Sequence, residues 1–250
     1  MSRLAIIGLG PGGAGLRTPD AEAALAAATM LFGYGPYLDR VPPRPGQSRH
    51  PSDNRVELAR AQAALAAAAD GATVAMVTGG DPGVFAMAAA VCEAIESGPA
   101  EWRALDLAIH PGITAMLALA ARTGAPLGGD FCTLSLSDNL KPWPLIERRL
   151  AAAAGAGFVL ALYNPISRAR PWQLGAALAL LREHLPATTP VIFGRAIARP
   201  DESIRITTLA EADPLWADMA TCLLIGTAET RLVPREARAP LVYTPRRVAQ

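Results

Sequence analysis

Short apolar runs alternate with longer stretches rich in alanine and leucine along most of the chain. Residues 4–7 form a continuous apolar run that glycines end, which is typical of a strand buried on both faces of a parallel sheet. Thr18 and Pro19 then supply an N-cap and a proline for the first helical position, so residues 18–28 are predicted to be a helix. The alternation continues and predicts strands at 30–32, 73–77 and 105–109, with helices at 56–69, 84–97 and 115–122. Strands that alternate with helices indicate βαβ units and a parallel sheet.

Residues 123–130 consist mainly of turn formers, and we predict a domain boundary there. The second half has predicted strands at 131–136, 158–163, 191–196, 203–208 and 221–225, and helices at 145–154 and 171–184. Adjacent strands without room for a helix between them favour a mixed sheet. The prediction is therefore an α/β fold with an N-terminal domain over 1–124, a C-terminal domain over 125–233 and a poorly packed Arg/Pro-rich tail over 234–250.

Composition narrows the class of protein without identifying a function. The 250 residues are 51% hydrophobic and 18% charged with a formal net charge of +1, which excludes a disordered chain and predicts no nucleic-acid partner. The sequence shows no signal peptide and no apolar run long enough to cross a membrane, so we expect a soluble cytoplasmic protein. Its three cysteines, Cys92, Cys132 and Cys222, are widely spaced and predict neither disulfides nor a bound metal. Lys141 is the one lysine beside 22 arginines.

The first glycine loop, residues 8–13, formally matches the GxGxxG dinucleotide fingerprint after a strand. Its context differs, because Pro11 interrupts it and the helix cap comes only at Thr18, whereas the fingerprint places a helix N-terminus on the pyrophosphate. The second strand also ends in Gly33 and Tyr34, without the acidic residue that a ribose requires. A dehydrogenase therefore ranks third among the hypotheses for the function, after the two that are given below.

Two further glycine loops follow predicted strands, at residues 78–83 and 110–115. The carboxyl ends of parallel strands are where open α/β folds bind ligands, and glycine allows a ligand to approach the backbone. Taken singly, Asp81 and Thr114 are explained as helix caps, and His110 as an ordinary loop histidine. Caps do not explain why several glycines surround Asp81.

The three loops together, with sequences GLGPGG, TGGDPGVFAMA and PGITA, resemble the tetrapyrrole methylase family over nearly the whole chain. The stretches SLSDNLKPW at 135–143 and YNP at 163–165 are similar to its branch that methylates precorrin-3B at C17 in cobalamin biosynthesis. This resemblance implies two α/β domains with S-adenosylmethionine bound in a cleft between them, as in class III methyltransferases. It also implies a ring contraction, a metal-free protein and a homodimer.

The resemblance further implies which residues contact S-adenosylmethionine: Pro11, Gly79, Gly80, Asp81, Val84, Thr114, Ala115, Asn164, Ala196 and Ile197. Methyl transfer from a sulfonium is an in-line displacement that needs positioning rather than an enzyme nucleophile. The ring contraction needs proton transfer, for which the candidate catalytic residues are His110, Ser137, Asp138 and Lys141. Cys132 is a weaker candidate, because a lone cysteine at a strand start is more often an apolar core residue.

A precorrin carries many carboxylates, and the planar guanidinium of arginine binds carboxylates in a bidentate manner. We expect about three of eight loop arginines to face the substrate: Arg40, Arg44, Arg49, Arg55, Arg168, Arg170, Arg195 and Arg199. Within the family, methylation of precorrin-4 at C11, of precorrin-2 at C20 or of cobalt-factor III at C17 remains open. A regulator that binds S-adenosylmethionine without catalysis is the second hypothesis.

Overall fold

The computed structural model describes residues 3–54 and 56–247 and divides into two units, the first ending at Thr114 and the second beginning at Ala115. The first unit alternates strands and helices: β1 (Arg3–Gly8), α1 (Pro19–Ala27), β2 (Met30–Tyr34), α2 (Gly35–Leu38), β3 (Ser48–Ser52), α3 (Glu57–Ala69), β4 (Thr73–Thr78), α4 (Met87–Ser97) and β5 (Asp106–His110).

The sheet of the first unit is entirely parallel and has the strand order β3-β2-β4-β1-β5. Its central strand β1 is buried on both faces. Leu4 and Ile6 belong to the core beneath α3 and α4, whereas Ala5 and Ile7 pack with Leu25 of α1. The two faces follow from the period of two along a strand. The predicted α/β fold with a parallel sheet is confirmed.

The second unit contains the remaining elements: α5 (Ala115–Thr123), β6 (Gly124–Ala125), β7 (Phe131–Ser135), α6 (Trp143–Gly155), β8 (Val159–Tyr163), α7 (Gln173–His184), β9 (Pro190–Arg195), β10 (Ser203–Thr208), β11 (Thr221–Ile225), β12 (Arg231–Arg235) and β13 (Arg238–Tyr243). Its larger sheet has the order β10-β9-β11-β8-β7. β7 and β8 are parallel, and β11 runs antiparallel to both β8 and β9. The carboxyl ends of β7, β8 and β9 therefore lie at the same edge.

The division between the units comes before α5, ten residues earlier than the predicted boundary at 124/125. The reason is that α5 packs on the second sheet: a Cβ added at Gly194 of β9 would lie 2.4 Å from Leu119 Cδ1. The glycine-rich segment after α5 does not link domains. It forms β6 and a turn inside the second unit.

The predicted poorly packed tail is wrong for the residues that the structure describes, which end at Arg247. β12 and β13 pair with β6 in a three-stranded sheet, and Val242 is fully buried. The Thr244 hydroxyl donates to the Pro126 carbonyl at 2.7 Å and lies 2.9 Å from Thr230 Oγ1. The prolines and arginines at 234–247 predicted an unpacked segment. That pattern gave no sign of the sheet, because the buried residues are isolated between exposed ones. Residues 248–250 lie outside the described part of the chain.

Within residues 3–54 and 56–247, no helix combines the length and the apolar character that a membrane crossing requires.

Candidate functional site

The three glycine loops meet at one edge of the first sheet, because β4, β1 and β5 are neighbours that run parallel. The loop at 8–13 and the loop at 78–83 are joined by a backbone bridge, in which Gly10 N donates to Gly80 O at 3.1 Å and Gly80 N donates to Gly10 O at 2.9 Å. As predicted, the first loop does not open an α-helix: α1 begins at Pro19, where Thr18 Oγ1 accepts a hydrogen bond from Ala21 N. Only a three-residue 3-10 helix, Ala14–Leu16, follows the glycines, so this loop lacks the α-helix N-terminus that dinucleotide binding requires.

Two of the glycines are explained by contacts between the loops. A Cβ added at Gly112 would lie 2.2 Å from Gly80 O, and one added at Gly8 would lie 2.7 Å from both Gly80 O and Gly112 N. No side chain can occupy those positions without moving the backbone. Glycine therefore serves here to bring three loops together, which the sequence analysis had assigned to ligand approach alone.

Gly80 differs from its neighbours in both conformation and surroundings. Its φ of +64° lies in the left-handed region, and the nearest atom to an added Cβ is Thr114 Cα at 3.7 Å. Space is therefore open above Gly80, on the side of Thr114. The structure thus places Gly80 and Thr114, both predicted to contact S-adenosylmethionine, beside each other.

Asp81 connects the second and third loops. Its Oδ1 accepts a hydrogen bond from Gly83 N at 2.8 Å, and its Oδ2 accepts one from Gly112 N at 3.0 Å. It is not the N-cap of the next helix, since α4 begins at Met87 with Ala86 as its cap residue. The helix predicted from residue 84 starts later because the chain turns through Phe85, whose φ is +51°.

The remaining predicted contacts of the first unit lie in the same loops. Pro11 and Thr114 are buried and Val84 is half-buried, while Ala115 begins α5 of the second unit. His110 ends β5, and its buried Nε2 has no hydrogen-bond partner among the described residues. Buried polar atoms in proteins are nearly always paired, so this orphaned nitrogen is one that a ligand could satisfy. The loop edge, with open space at Gly80 and backbone polar groups, fits a molecule with many donors and acceptors such as S-adenosylmethionine.

Arg40 holds the first loop in place. Its Nη2 donates to the carbonyls of Leu9, Gly10 and Gly12 at 3.0, 2.7 and 2.7 Å. Its own carbonyl accepts a hydrogen bond from Arg17 Nη2 at 3.1 Å. The Arg40 guanidinium, one of the eight candidates for binding substrate carboxylates, thus binds backbone carbonyls. Nothing in the sequence indicates this role.

Most of the other predicted arginines are also engaged within their own unit. Arg49 donates to the carbonyls of Leu38 and Val41, Arg44 forms an ion pair with Glu22 at 3.9 Å, and the buried Arg170 donates to Asn164 O at 3.0 Å. Arg195 forms ion pairs with Asp218 and Asp201 at 2.7 and 2.8 Å. Arg168 and Arg199 have exposed side chains, and Arg55 lies outside the described residues.

At the edge of the second sheet, the ends of β7 and β8 are joined through Ser135. The Ser135 hydroxyl oxygen accepts hydrogen bonds from Asn164 Nδ2 at 2.9 Å and from Ser137 N at 3.3 Å. Asn164 has a φ of +51°. At the end of β9, Ala196 has a φ of +49° and is buried together with Ile197. The structure thus places Asn164, Ala196 and Ile197 at the same edge of the second sheet, with β11 between the strands that carry them. Ser135 is a connecting residue that was not among the predicted site residues.

The predicted catalytic residues fall in both units. His110 lies in the first unit, whereas Ser137, Asp138 and Lys141 share one loop after β7 in the second. The Asp138 carboxylate accepts hydrogen bonds from Gln173 Nε2, at 3.1 Å to each oxygen. Gln173 was not recognised from the sequence because it opens α7, far along the chain.

Burial, together with the nearby positive charge of Arg149, lowers the pKa of the Lys141 ammonium. Burial raises the pKa of the Cys132 thiol, which disfavours the thiolate that a cysteine nucleophile needs. Cys132 instead packs against the core of the second unit and lines a surface depression of about 360 Å³ with Arg149 and Phe158. Among the described residues, no three side chains of His, Cys, Asp or Glu lie close enough together to hold a metal ion.

Comparison with known proteins agrees with this geometry. Residues 3–213 match the family profile described as Tetrapyrrole (Corrin/Porphyrin) Methylases. The chain is 65% identical over 243 residues to a protein of Sinorhizobium sp. named precorrin-3B C(17)-methyltransferase, with 97% of this chain and 96% of that protein covered. It is 37% identical to the probable cobalt-factor III C(17)-methyltransferase of Salmonella typhimurium, with 96% and 99% covered.

Among solved structures, the methyltransferase CobJ superposes with a TM-score of 0.92 and 49% sequence identity, covering 97% of this chain and 99% of that one. The family profile covers the glycine loops, the first sheet and the second sheet as far as β10, and the two relatives cover 96–97% of the chain. The chain therefore belongs to the tetrapyrrole (corrin/porphyrin) methylase family.

Proposed function

We propose that the chain transfers a methyl group from S-adenosylmethionine to C17 of precorrin-3B and contracts the ring to give precorrin-4, a step of cobalamin biosynthesis. The observation that carries this proposal is the 65% identity, over nearly the full length of both chains, to a protein named for that reaction. The loop SLSDNLKPW at 135–143, which carries Ser137, Asp138 and Lys141, supports the same branch.

The first unit binds S-adenosylmethionine through its three loops, with backbone groups of Gly79 and Gly80 and the buried Thr114 beside it. When bound, S-adenosylmethionine supplies an electrophilic methyl group at its sulfonium. Asp81 and Arg40 keep the loops in position, since their side chains form hydrogen bonds to the loop backbone. Asn164, Ala196 and Ile197 of the second unit are further proposed contacts, supported by the family resemblance.

The loop after β7 performs the proton transfers of the ring contraction. Asp138 is the proposed proton acceptor and Lys141 the proposed donor, because burial lowers the pKa of Lys141 and so eases loss of its proton. Ser137 is a proposed hydrogen-bond partner of the substrate, and His110, with its orphaned Nε2, is a proposed partner on the first unit. Arg168 and Arg199, exposed and on loops, are the proposed contacts to substrate carboxylates.

Cobalt-factor III is the second candidate substrate, because a relative named as a probable enzyme for that activity covers 96% of this chain at 37% identity. The higher identity to the precorrin-3B enzyme favours the metal-free macrocycle. Cobalt would then be absent from the substrate, and the protein would need no metal of its own. We also propose a cytoplasmic homodimer, which sedimentation would show as twice the 26.0 kDa chain.

Incubation with S-adenosylmethionine labelled in its methyl group tests the proposed function. We expect label on precorrin-3B, and not on precorrin-2, precorrin-4 or cobalt-factor III offered separately. Label on one of those other substrates alone would reassign the activity within the family. Binding of S-adenosylhomocysteine without label on any of them would identify a regulator rather than an enzyme.

A further inference from the structure

We propose that Gln173 is a positioning residue, which fixes the Asp138 carboxylate in the orientation that the ring contraction uses. This inference rests on the proposed function, in which Asp138 accepts a proton. Gln173 does not touch the reacting atoms in this proposal. It acts through the carboxylate to which it is bound.

The contact between the two side chains is symmetric. Gln173 Nε2 lies 3.1 Å from Asp138 Oδ1 and 3.1 Å from Asp138 Oδ2, so one amide group faces the whole carboxylate edge. Rotation of the carboxylate about its Cβ–Cγ bond would lengthen one of these hydrogen bonds. Asp138 itself is half-buried, so it is not enclosed on all sides.

The surroundings of Gln173 make an amide an unusual choice at this position. Its side chain is 1% exposed at the start of α7, next to Leu174 and Ala177 of the apolar core of the second unit. Its Oε1 is buried and has no hydrogen-bond partner among the residues that the structure describes. Leaving a buried carbonyl unpaired is unfavourable, and an apolar side chain of the same size would avoid that loss.

The amide does supply the N–H group that donates hydrogen bonds to Asp138. The unpaired Oε1 alone does not assign a role to Gln173; what sets its hydrogen bonds apart is the acceptor, a carboxylate that the proposed function uses as a proton acceptor. A proton acceptor has to be aligned with the proton it removes, and a displacement on the order of 1 Å is enough to slow catalysis about a hundredfold. Gln173 is thus suited to hold Asp138 while the substrate rearranges.

The chain contains a matched control for this interaction. Gln47 likewise donates from Nε2 to two acceptors, the carbonyls of Leu25 and Ala28 at 3.0 and 2.8 Å, and its Oε1 is also buried and unpaired in the described structure. Both of its acceptors belong to the end of α1, away from any residue assigned to the reaction. Replacing each glutamine by methionine removes the hydrogen bonds at nearly constant volume.

The experiment measures steady-state turnover of precorrin-3B by Gln173→Met, Gln47→Met, Asp138→Asn and the double variant Gln173→Met with Asp138→Asn. Binding of S-adenosylhomocysteine and circular dichroism report whether each variant is folded. We expect Gln173→Met to lower kcat for ring contraction by roughly tenfold to a hundredfold at unchanged KM, with the double variant no slower than Asp138→Asn alone. Gln47→Met should turn over like the wild type.

Several outcomes would overturn the inference. If Asp138→Asn is slow while Gln173→Met turns over like the wild type, Gln173 does not position Asp138. If the two substitutions add fully in the double variant, they act independently. If Asp138→Asn is itself fully active, the proton-acceptor role in the proposed function fails, and the positioning role fails with it. Should Gln173→Met not fold, Gln173→Asn, which withdraws the amide by one methylene, gives the same comparison.

Discussion

The carboxylate of Asp81 joins two loops, since one oxygen accepts a hydrogen bond from Gly83 N and the other from Gly112 N. Removing it releases the third loop from the second and leaves two backbone donors without their acceptor. Gly83 is exposed and Gly112 is half-buried, so water can replace the lost acceptor, and loops rather than core depend on the two hydrogen bonds. The effect of a substitution should therefore appear in ligand binding more than in folding.

Asp81→Ala is predicted to weaken S-adenosylhomocysteine binding at least tenfold, which is about 1.4 kcal/mol, with a smaller loss of about 0.5–1 kcal/mol in the free energy of unfolding. Calorimetric titration and urea denaturation measure the two quantities. Asp213→Ala is the matched control, because Asp213 Oδ1 accepts from Leu215 N at 2.9 Å in a short 3-10 turn of the second unit. If Asp81→Ala binds S-adenosylhomocysteine with wild-type affinity, the hydrogen bonds of Asp81 to the two loops are not needed for binding.

Lys141 is the one lysine of the chain, and its pKa lies below the usual range because of burial and the charge of Arg149. The folded state therefore binds this proton less tightly than the unfolded state. Stability is diminished while the ammonium is charged, and it increases as the pH rises from the lowered folded-state pKa toward the ordinary value near 10.5. An arginine at this position would stay charged throughout that range.

We predict that Lys141→Arg loses at least tenfold in the rate of ring contraction at pH 8 while S-adenosylhomocysteine affinity stays unchanged. In the same range, the rise of stability with pH should be smaller in Lys141→Met than in the wild type, as denaturation at pH 8 and pH 10 would show. A fully active Lys141→Arg would contradict a role for the amine. The one lysine among 22 arginines would then have no chemical explanation.

At the scale of elements, the contact of three loops at the ends of β1, β4 and β5 depends on the glycines between them. Gly112→Ala would place a Cβ 2.2 Å from Gly80 O, so the backbone has to move. We predict a loss of about 1–3 kcal/mol in unfolding free energy, together with loss of measurable S-adenosylhomocysteine binding. Gly13→Ala is the control, since nothing lies within 4 Å of the added Cβ and its φ is −64°. Equal stability of the two variants would contradict the close contact.

Local sequence predicted the regular elements well where apolar periodicity was strong. The strand at 203–208 and the strand at 221–225 have the predicted bounds, and the cap at Thr18 starts α1 as predicted. β3 was not predicted, because its sequence SRHPS is polar and contains a proline, which only an edge strand tolerates. β12 and β13 were not predicted for a similar reason. Their sequences contain several exposed arginines and only one buried residue, Val242, so they show no apolar alternation.

The candidate site was predictable only in part. Glycine loops after strands indicated the correct edge, because parallel strands end together. The partners that hold this edge come from distant positions: Arg40 contacts a loop about 30 residues before it, and Gln173 contacts Asp138 across 35 residues. Side-chain hydrogen bonds over such separations follow from packing of whole elements. A local pattern cannot encode them.

At the scale of the whole molecule, the net charge of +1 gives no indication of an anionic substrate. The structure explains where part of the positive charge is used. Arg40, Arg49 and Arg170 bind backbone carbonyls and Arg195 binds two carboxylates, so these side chains support loops. Arg168 and Arg199, which are exposed, are the proposed contacts to substrate carboxylates.

The residues proposed for the reaction come from both units, and the family profile covers the first unit from residue 3 and the second as far as residue 213. Methylation alone adds one methyl group in place of a proton, whereas ring contraction rearranges bonds and leaves the mass unchanged. A mass measurement therefore reports only half of the proposed activity. The carbon skeleton of the product has to be determined as well.

The most direct test is the nuclear magnetic resonance spectrum of the product formed from precorrin-3B and S-adenosylmethionine carrying a ¹³C methyl group. The account predicts that the labelled methyl carbon is bonded to C17 of a contracted macrocycle. A labelled methyl group on any other carbon, or a methylated product whose ring has not contracted, would contradict it.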